Sequence, residues 1–251
     1  MMGYTHVAVG AAGAVGLAAS AGFTTPEAYI LAASFGALGG AAPDIDVDNH
    51  FSHPTMTDGI RTMIACLGMM ALSVVLDLVL KIGIMSTIVT EKYTAIGGLI
   101  VFIILMGIGH FTEHRTFTHS LLFTVLTTIC IGVVKADAAP YYLVGCALHI
   151  ILDLFNKKYH SHGVRLLYPL KIGNGIAFGL CKSDKAANKA LYFIGLVCFV
   201  AVTIHFIMQI GSITKSIAPI AILVYMVIVM HFVREKSERE LRCLMHIHGE
   251  L

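Results

Sequence analysis

Charge is scarce in this 251-residue chain: Asp, Glu, Lys and Arg together make up 13% of it, against 57% hydrophobic residues. So little charged surface excludes an ordinary water-soluble globule. Paired cysteines are lacking too. Cys66, Cys130, Cys146, Cys181, Cys198 and Cys243 form no CxxC and no paired spacing, and four of them lie inside apolar blocks, so no disulfide framework is indicated. No Lys or Arg precedes the first apolar run, which argues against a cleavable signal peptide and predicts that Met1 to Gly22 stays in the mature protein. A net charge of +2, without basic stretches interleaved with aromatics, gives no reason to expect a nucleic-acid partner.

What the chain has instead is long apolar runs. Eight can be drawn, at about 6–23, 28–43, 62–80, 93–111, 119–136, 140–156, 190–211 and 216–233. A bilayer core of about 30 Å needs about 20 helical residues. The runs are too long, and too little alternating in polarity, for barrel strands. The expectation is therefore an all-α, polytopic transmembrane bundle of about eight helices, with 28–43 and 140–156 short enough to be re-entrant. Residues 1–175 would form a membrane-embedded domain, 176–233 a loop and C-terminal helical hairpin, and 234–251 an exposed tail.

Orientation follows from the excess of Lys and Arg in cytoplasmic loops. Placing the basic stretch 157–189 and the tail inside, and alternating through eight spans, leaves only Lys81, Lys92, Lys135 and Lys215 of the 17 basic residues outside. The reading is a multi-pass protein of the inner, cytoplasmic membrane with both termini cytoplasmic. Gly36 and Gly40, and likewise Gly16 and Ser20, sit at the small-xxx-small spacing that lets helix backbones approach closely, which would bring His6 near Asp44. Tyr93, Tyr141, Tyr142 and Tyr159 fall at segment ends, where interfacial anchors belong.

Four polar clusters interrupt the apolar pattern: Thr5-His6, Pro43-Asp44-Ile45-Asp46, the run from His114-Arg115 to Thr118-His119-Ser120, and His149 with Asp153. In the expected topology all four lie at cytoplasmic helix ends, although none was used to derive it. His149 and Asp153 are four apart, hence on one helical face, at a spacing that suits metal ligation. Imidazoles and carboxylates without cysteine suit zinc, manganese or iron in a hydrolytic centre better than a sealed structural zinc. Ionisable groups within membrane segments are costly and by default functional. Against that, His205 and His231 read as packed or interfacial residues, Asp77 with Lys81 as a structural salt pair, and His50, His53, His160 and His162 as weak loop signals. His110, one turn before His114, is a candidate to support a ligand.

At these residues the chain resembles the YdjM family, described as LexA-regulated, membrane-bound, metal-dependent hydrolases. The blocks that carry the likeness are Thr5-His6, Pro43-Asp44-Ile45-Asp46, His114-Arg115 through Thr118-His119-Ser120-Leu121-Leu122, and His149 with Asp153 followed by Gly163-Val164-Arg165-Leu166-Leu167-Tyr168-Pro169. They span roughly residues 1–175. Two positions depart from the family pattern: Thr116 where a Gly usually follows the His-Arg pair, and Tyr168 where a Trp usually precedes the late Pro. The Thr could alter the turn that aims His119. The order of ligand types is also similar to zinc-dependent phospholipase C and P1-type nucleases, a looser likeness.

These observations yield one expectation for the site. His6, Asp44, His114, His119, His149 and Asp153 would ligate two or more divalent transition-metal ions, zinc first and manganese as alternative. Arg115 would stabilise charge on phosphoryl oxygens, and Asp46 would act as general base or orient a ligating histidine. Ser120, included among the candidate catalytic residues, reads more as a hydrogen-bond partner than as a nucleophile. The expected substrate is a phosphoester in a membrane lipid or lipid-like molecule. The alternatives are a metal-binding or transport protein without enzymatic activity and, third, a nuclease.

Overall fold

The structure, a computed structural model, describes residues 1–47, 58–90, 92–157, 163–170, 174–181 and 186–247. His50, His53, Tyr159, His160 and His162, and the loop lysines Lys158, Lys171, Lys182 and Lys185, lie outside the described residues. Within them the fold is all-α: α1 (Gly3–Ser20), α2 (Pro26–Ala41), α3 (Asp58–Leu80), α4 (Ile84–Thr90), α5 (Lys92–His110), α6 (Leu121–Val134), α7 (Ala139–Leu154), α8 (Ala186–Ile210) and α9 (Ile213–Ile247). A 3-10 turn, Ala42–Asp46, prolongs α2. Extended pairing among the described residues is limited to two isolated bridges, Asn156 with Cys181 and Val164 with Ile176.

Among the described residues, five stretches are long and apolar enough to cross a membrane: Pro26–Asp46, Asp58–Leu80, Lys92–His110, Ala186–Ile210 and Ile213–Cys243. That corrects the expected eight, for identifiable reasons. α1 draws its 18 residues largely from Gly and Ala, which dilutes its hydropathy, and α6 and α7 have 14 and 16 residues. The run at 28–43 was expected to be short, but the 3-10 turn lengthens it into one of the five. α4 was not foreseen.

α1 and α2 form the centre of the bundle. Nearly every residue of α2 is buried, and α1 packs on α2, α7 and α8. A helix hydrophobic all round and buried all round is a core helix. The other long helices turn large apolar side chains outward: Leu78 and Val79 on α3, Ile103 on α5, Val197 on α8 and Ile228 on α9 are each about half exposed or more. Such a continuous apolar exterior is what a bilayer solvates.

The small residues explain why the centre is so close-packed. A Cβ on Gly40 would collide with the His6 carbonyl oxygen, and one on Gly145 of α7 would collide with the Gly36 carbonyl oxygen, so three backbones meet without intervening side chains. Gly36 and Gly40 therefore behave as their spacing predicts. Gly16 does not: a side chain there would meet open space, and Ser20 bonds to the Leu17 carbonyl of its own helix. Of the tyrosines, Tyr93 is exposed as an interfacial anchor should be, whereas Tyr141 and Tyr142 are buried in the core. Asp77 is structural, but through backbone, accepting hydrogen bonds from the N–H groups of Gly83, Ile84 and Met85 ahead of and within the first turn of α4.

The polar clusters gather at one end of this bundle because the chain alternates direction. The start of α1, the end of α2, the end of α5, the start of α6, the end of α7 and the start of α8 all meet there. Gly40→Val is predicted to lower thermal stability in mild detergent by about 1–3 kcal/mol, the usual cost of overpacking, whereas Gly16→Ala should be neutral. Equal effects would show that backbone contact between α1 and α2 does not hold the centre together.

Candidate metal centre

Each functional side chain is delivered by a local feature. His6 lies one turn into α1, whose start is fastened on two sides. The Gly3 N–H donates to Asp58 Oδ2 (2.8 Å), while the Met2 N–H and the Thr5 hydroxyl donate to Asn188 Oδ1 (3.1 and 3.0 Å). Asp44 and Asp46 sit on the 3-10 turn, which is braced by a hydrogen bond between His110 Nδ1 and the Ile45 carbonyl (2.8 Å). His149 and Asp153 occupy one face of the last turns of α7, and both are buried.

The segment between α5 and α6 is a series of turns, not the beginning of a helix. Arg115 adopts a left-handed backbone (φ 66), and the Thr116 N–H and hydroxyl both bond to the Glu113 carbonyl. The left-handed position thus falls on Arg115, and Thr116, where a Gly was usual, closes the turn without needing glycine's freedom. Ser120 caps α6: its Oγ accepts from the Phe123 N–H (3.1 Å) and donates to the Phe117 carbonyl (2.6 Å). That places Ser120 in a structural hydrogen-bond role.

Four residues converge. His119 Nε2 and His149 Nε2 are 3.1 Å apart; Asp44 Oδ1 lies 3.5 Å from His149 Nε2 and 3.7 Å from His119 Nε2; and Asp153 Oδ2 lies 3.4 Å from His119 Nε2. Donors bound at about 2.0–2.2 Å to one ion are separated by about 3–4 Å from one another, which is the spacing found. The tautomers agree. His149 Nδ1 donates to the Gly40 carbonyl (2.7 Å), leaving its Nε2 lone pair aimed at His119. Two imidazoles facing each other at hydrogen-bond distance between two carboxylates make a place for a positive charge, a proton or a metal ion. Although burial by itself favours the neutral ring, Asp153 and Asp46 hold His119 protonated up to a pKa of about 9, so a metal bound at this ring would compete with a proton and would bind more tightly as pH rises.

A second group, Asp46, His114 and His119, adjoins the first, and its donor atoms too are close enough together to hold a divalent cation. Here His114 Nδ1 bonds to Asp46 Oδ1 (2.8 Å), the Thr118 hydroxyl bonds to Asp46 Oδ2 (2.5 Å), and His119 Nδ1 is 3.7 Å from Asp46 Oδ2. His6 stacks on the His149 ring, with centroids 3.7 Å apart, and its Nε2 lies 3.3 Å from Asp153 Oδ1 and 4.0 Å from Asp44 Oδ2. Arg115 is buried, its Nε 3.4 Å from Asp153 Oδ2 and its guanidinium donating to the Lys157 carbonyl (2.8 Å).

All six expected ligands, with Asp46 and Arg115, are therefore within one end of the bundle. Sequence reasoning missed the residues that hold them: Asn188 and Asp58 at the start of α1, Thr118 on Asp46, and Asn156, whose amide donates to Asp153 Oδ1 (2.8 Å). Thr118 stood within the polar run 114–120 without an assigned role, and the signal for Asn156, Asn188 and Asp58 was position, a polar residue next to or at the end of an apolar helix. His205 and His231 are exposed on α8 and α9 and belong to neither group of potential metal donors among the described residues.

Long apolar helices around buried clusters of histidine and aspartate define a metal-binding protein embedded in a membrane. The profile of the YdjM inner membrane proteins matches residues 1–237, and the chain belongs to that family. The match continues past residue 175 through α8 and most of α9, the helices that clamp the start of α1. It also supports a multi-pass location in the inner membrane. Comparison with curated proteins and with solved structures gives no match.

The geometry distinguishes candidate ligands from their neighbours. His149→Ala and Asp153→Ala are each predicted to lower bound metal while the protein still elutes as a folded species in detergent, and His205→Ala should leave metal unchanged. Elemental analysis across the three variants checks this; equal loss in all of them would mean that instability, not ligation, had been measured.

Proposed function

We propose that the chain is a metal-dependent hydrolase of phosphoesters, acting on a lipid or lipid-like substrate at the cytoplasmic face. The observation that carries the reading is the donor set: two imidazole nitrogens and two carboxylates converging on one point, without thiolate. Such hard and borderline donors suit zinc or manganese, whose hydrolytic chemistry is to bind a phosphoryl oxygen and make water nucleophilic near neutral pH. The chain's own residues do the rest. His119 and His149 are aimed by hydrogen bonds from their far sides, Asp46 with Thr118 fixes the His119 ring, and Asp44 and Asp153 supply negative charge. Arg115, beside Asp153 Oδ2, keeps a positive charge within reach of an oxyanion at the same place.

A lipid is favoured by what surrounds the site. Residues 163–170 and 174–181 bond back onto it: the Arg165 N–H donates to the Arg115 carbonyl, and the Phe178 N–H to the Leu154 carbonyl. They leave Leu167, Leu170, Phe178 and Leu180 exposed, apolar side chains suited to contact with a lipid. A metal-binding or transport role is the second reading. It is favoured by burial, since His119, His149, Asp44 and Asp153 are at most 3% exposed. Transport sites, however, lie near the bilayer midplane in broken helices, and this cluster sits at helix ends.

On this reading a chelator abolishes phosphodiester or phospholipid cleavage and a divalent transition metal restores it. Arg115→Lys, which keeps charge but loses the planar fork, lowers turnover about tenfold or more with metal content near normal. A metal-loaded protein that cleaves neither substrate, yet accumulates metal in vesicles in a manner requiring His149, would replace the hydrolase with a transporter.

The cytoplasmic placement has its own check. Reporters fused after Arg242 should read cytoplasmic, and one between Ile210 and Ile213 external; the reverse result would put the site on the outer face.

A further inference from the structure

His6 is the residue that the four-ligand group leaves unexplained. It is fully buried, and neither of its ring nitrogens makes a hydrogen bond. A buried imidazole with two unmet polar atoms costs stability unless something binds it. Its Nε2 faces the two carboxylate oxygens that the first group does not use. Asp153 turns Oδ2 toward His119 and Oδ1 toward His6 (3.3 Å), while Asp44 turns Oδ1 toward His119 and His149 and Oδ2 toward His6 (4.0 Å). Each carboxylate is thus split, one oxygen to either side.

From this division we infer that His6 Nε2, Asp44 Oδ2 and Asp153 Oδ1 form a second divalent-metal position, bridged to the first by both carboxylates. The inference rests on the metal-centre reading above and adds where the second ion lies. Asp153 Oδ1 already attracts positive charge, with the N-terminal ammonium at 2.6 Å and the Asn156 amide donating to it at 2.8 Å, and an ion bound there would replace the ammonium. The stacking of His6 on His149 sets the two rings side by side, so their Nε2 atoms serve adjacent ions. The Asp46–His114 group is less suited to the second ion. The His119 nitrogen on that side bonds to the Thr118 hydroxyl and orients its ring, so it is not the nitrogen aimed at the first ion. Ions held by His119, His149 and His6 with Asp44 and Asp153 between them would supply the paired Lewis acids that phosphoester displacement uses.

The test uses full-length protein in mild detergent, stripped and reloaded with Mn(II), and reads metal per chain together with the electron paramagnetic resonance spectrum. Wild type is expected to hold two ions per chain with an exchange-coupled spectrum. His6→Ala and the more conservative His6→Gln should each hold one, with the spectrum of isolated Mn(II), and His114→Ala should keep two coupled ions. Retention of two ions in both His6 variants, or loss of one in His114→Ala but not in His6→Gln, overturns the assignment and moves the second ion to Asp46. A wild type with one ion, lost in His149→Ala, overturns the second position and leaves the first standing. A wild type that binds none overturns both.

Discussion

His119, His149, Asp44 and Asp153 crowd two imidazoles and two carboxylates around one point that favours positive charge, and most of what surrounds them works to keep them so pointed. The Gly40 carbonyl that aims His149 comes from the same glycine that lets α1 lie against α2. The turn that presents Asp44 is braced by His110, and the turn that presents His119 is closed by Thr116 and stopped by the Ser120 cap. Ionisable groups are expensive so deep in an apolar bundle, and the expense is offset only when they are mutually paired or share an ion.

The order of the layers follows from that constraint. A centre made of Gly and Ala has no bulk of its own, so α1, α2 and α7 come close enough for side chains from the ends of three helices to share one point. The larger apolar residues are displaced to α3, α5, α8 and α9, where they face lipid. Residues beyond the obvious motifs join the same task. Asn188 on α8 and Ser237 on α9, the latter through Asp58, grip the first turn of α1 and so fix the height of His6.

Much of this was legible in the sequence because ionisable residues stand out against an apolar background. His149 and Asp153 declared a shared face by spacing alone, and Gly36 with Gly40 declared a close approach. The count of spans was harder to read, since a helix built of Gly and Ala looks apolar residue by residue yet is weakly hydrophobic as a whole, as α1 is. Nor could periodicity show that 111–120 is a string of turns with Arg115 left-handed, or that Ser120 ends it as a cap. Tyr141 and Tyr142 were misjudged for a related reason: position near a helix end does not reveal which face is buried. The partners of the ligands, Asn156, Asn188 and Asp58, are long-range contacts that no local pattern encodes.

The central claim is that this end of the bundle is a metal centre built from nitrogen and oxygen donors. X-ray absorption spectroscopy at the metal edge of the protein as purified tests it most directly. The account predicts a transition metal with nitrogen and oxygen neighbours at about 2.0–2.2 Å and the outer scattering of imidazole rings, altered in His149→Ala. A sulfur neighbour at about 2.3 Å, or a folded protein carrying no metal, would contradict it.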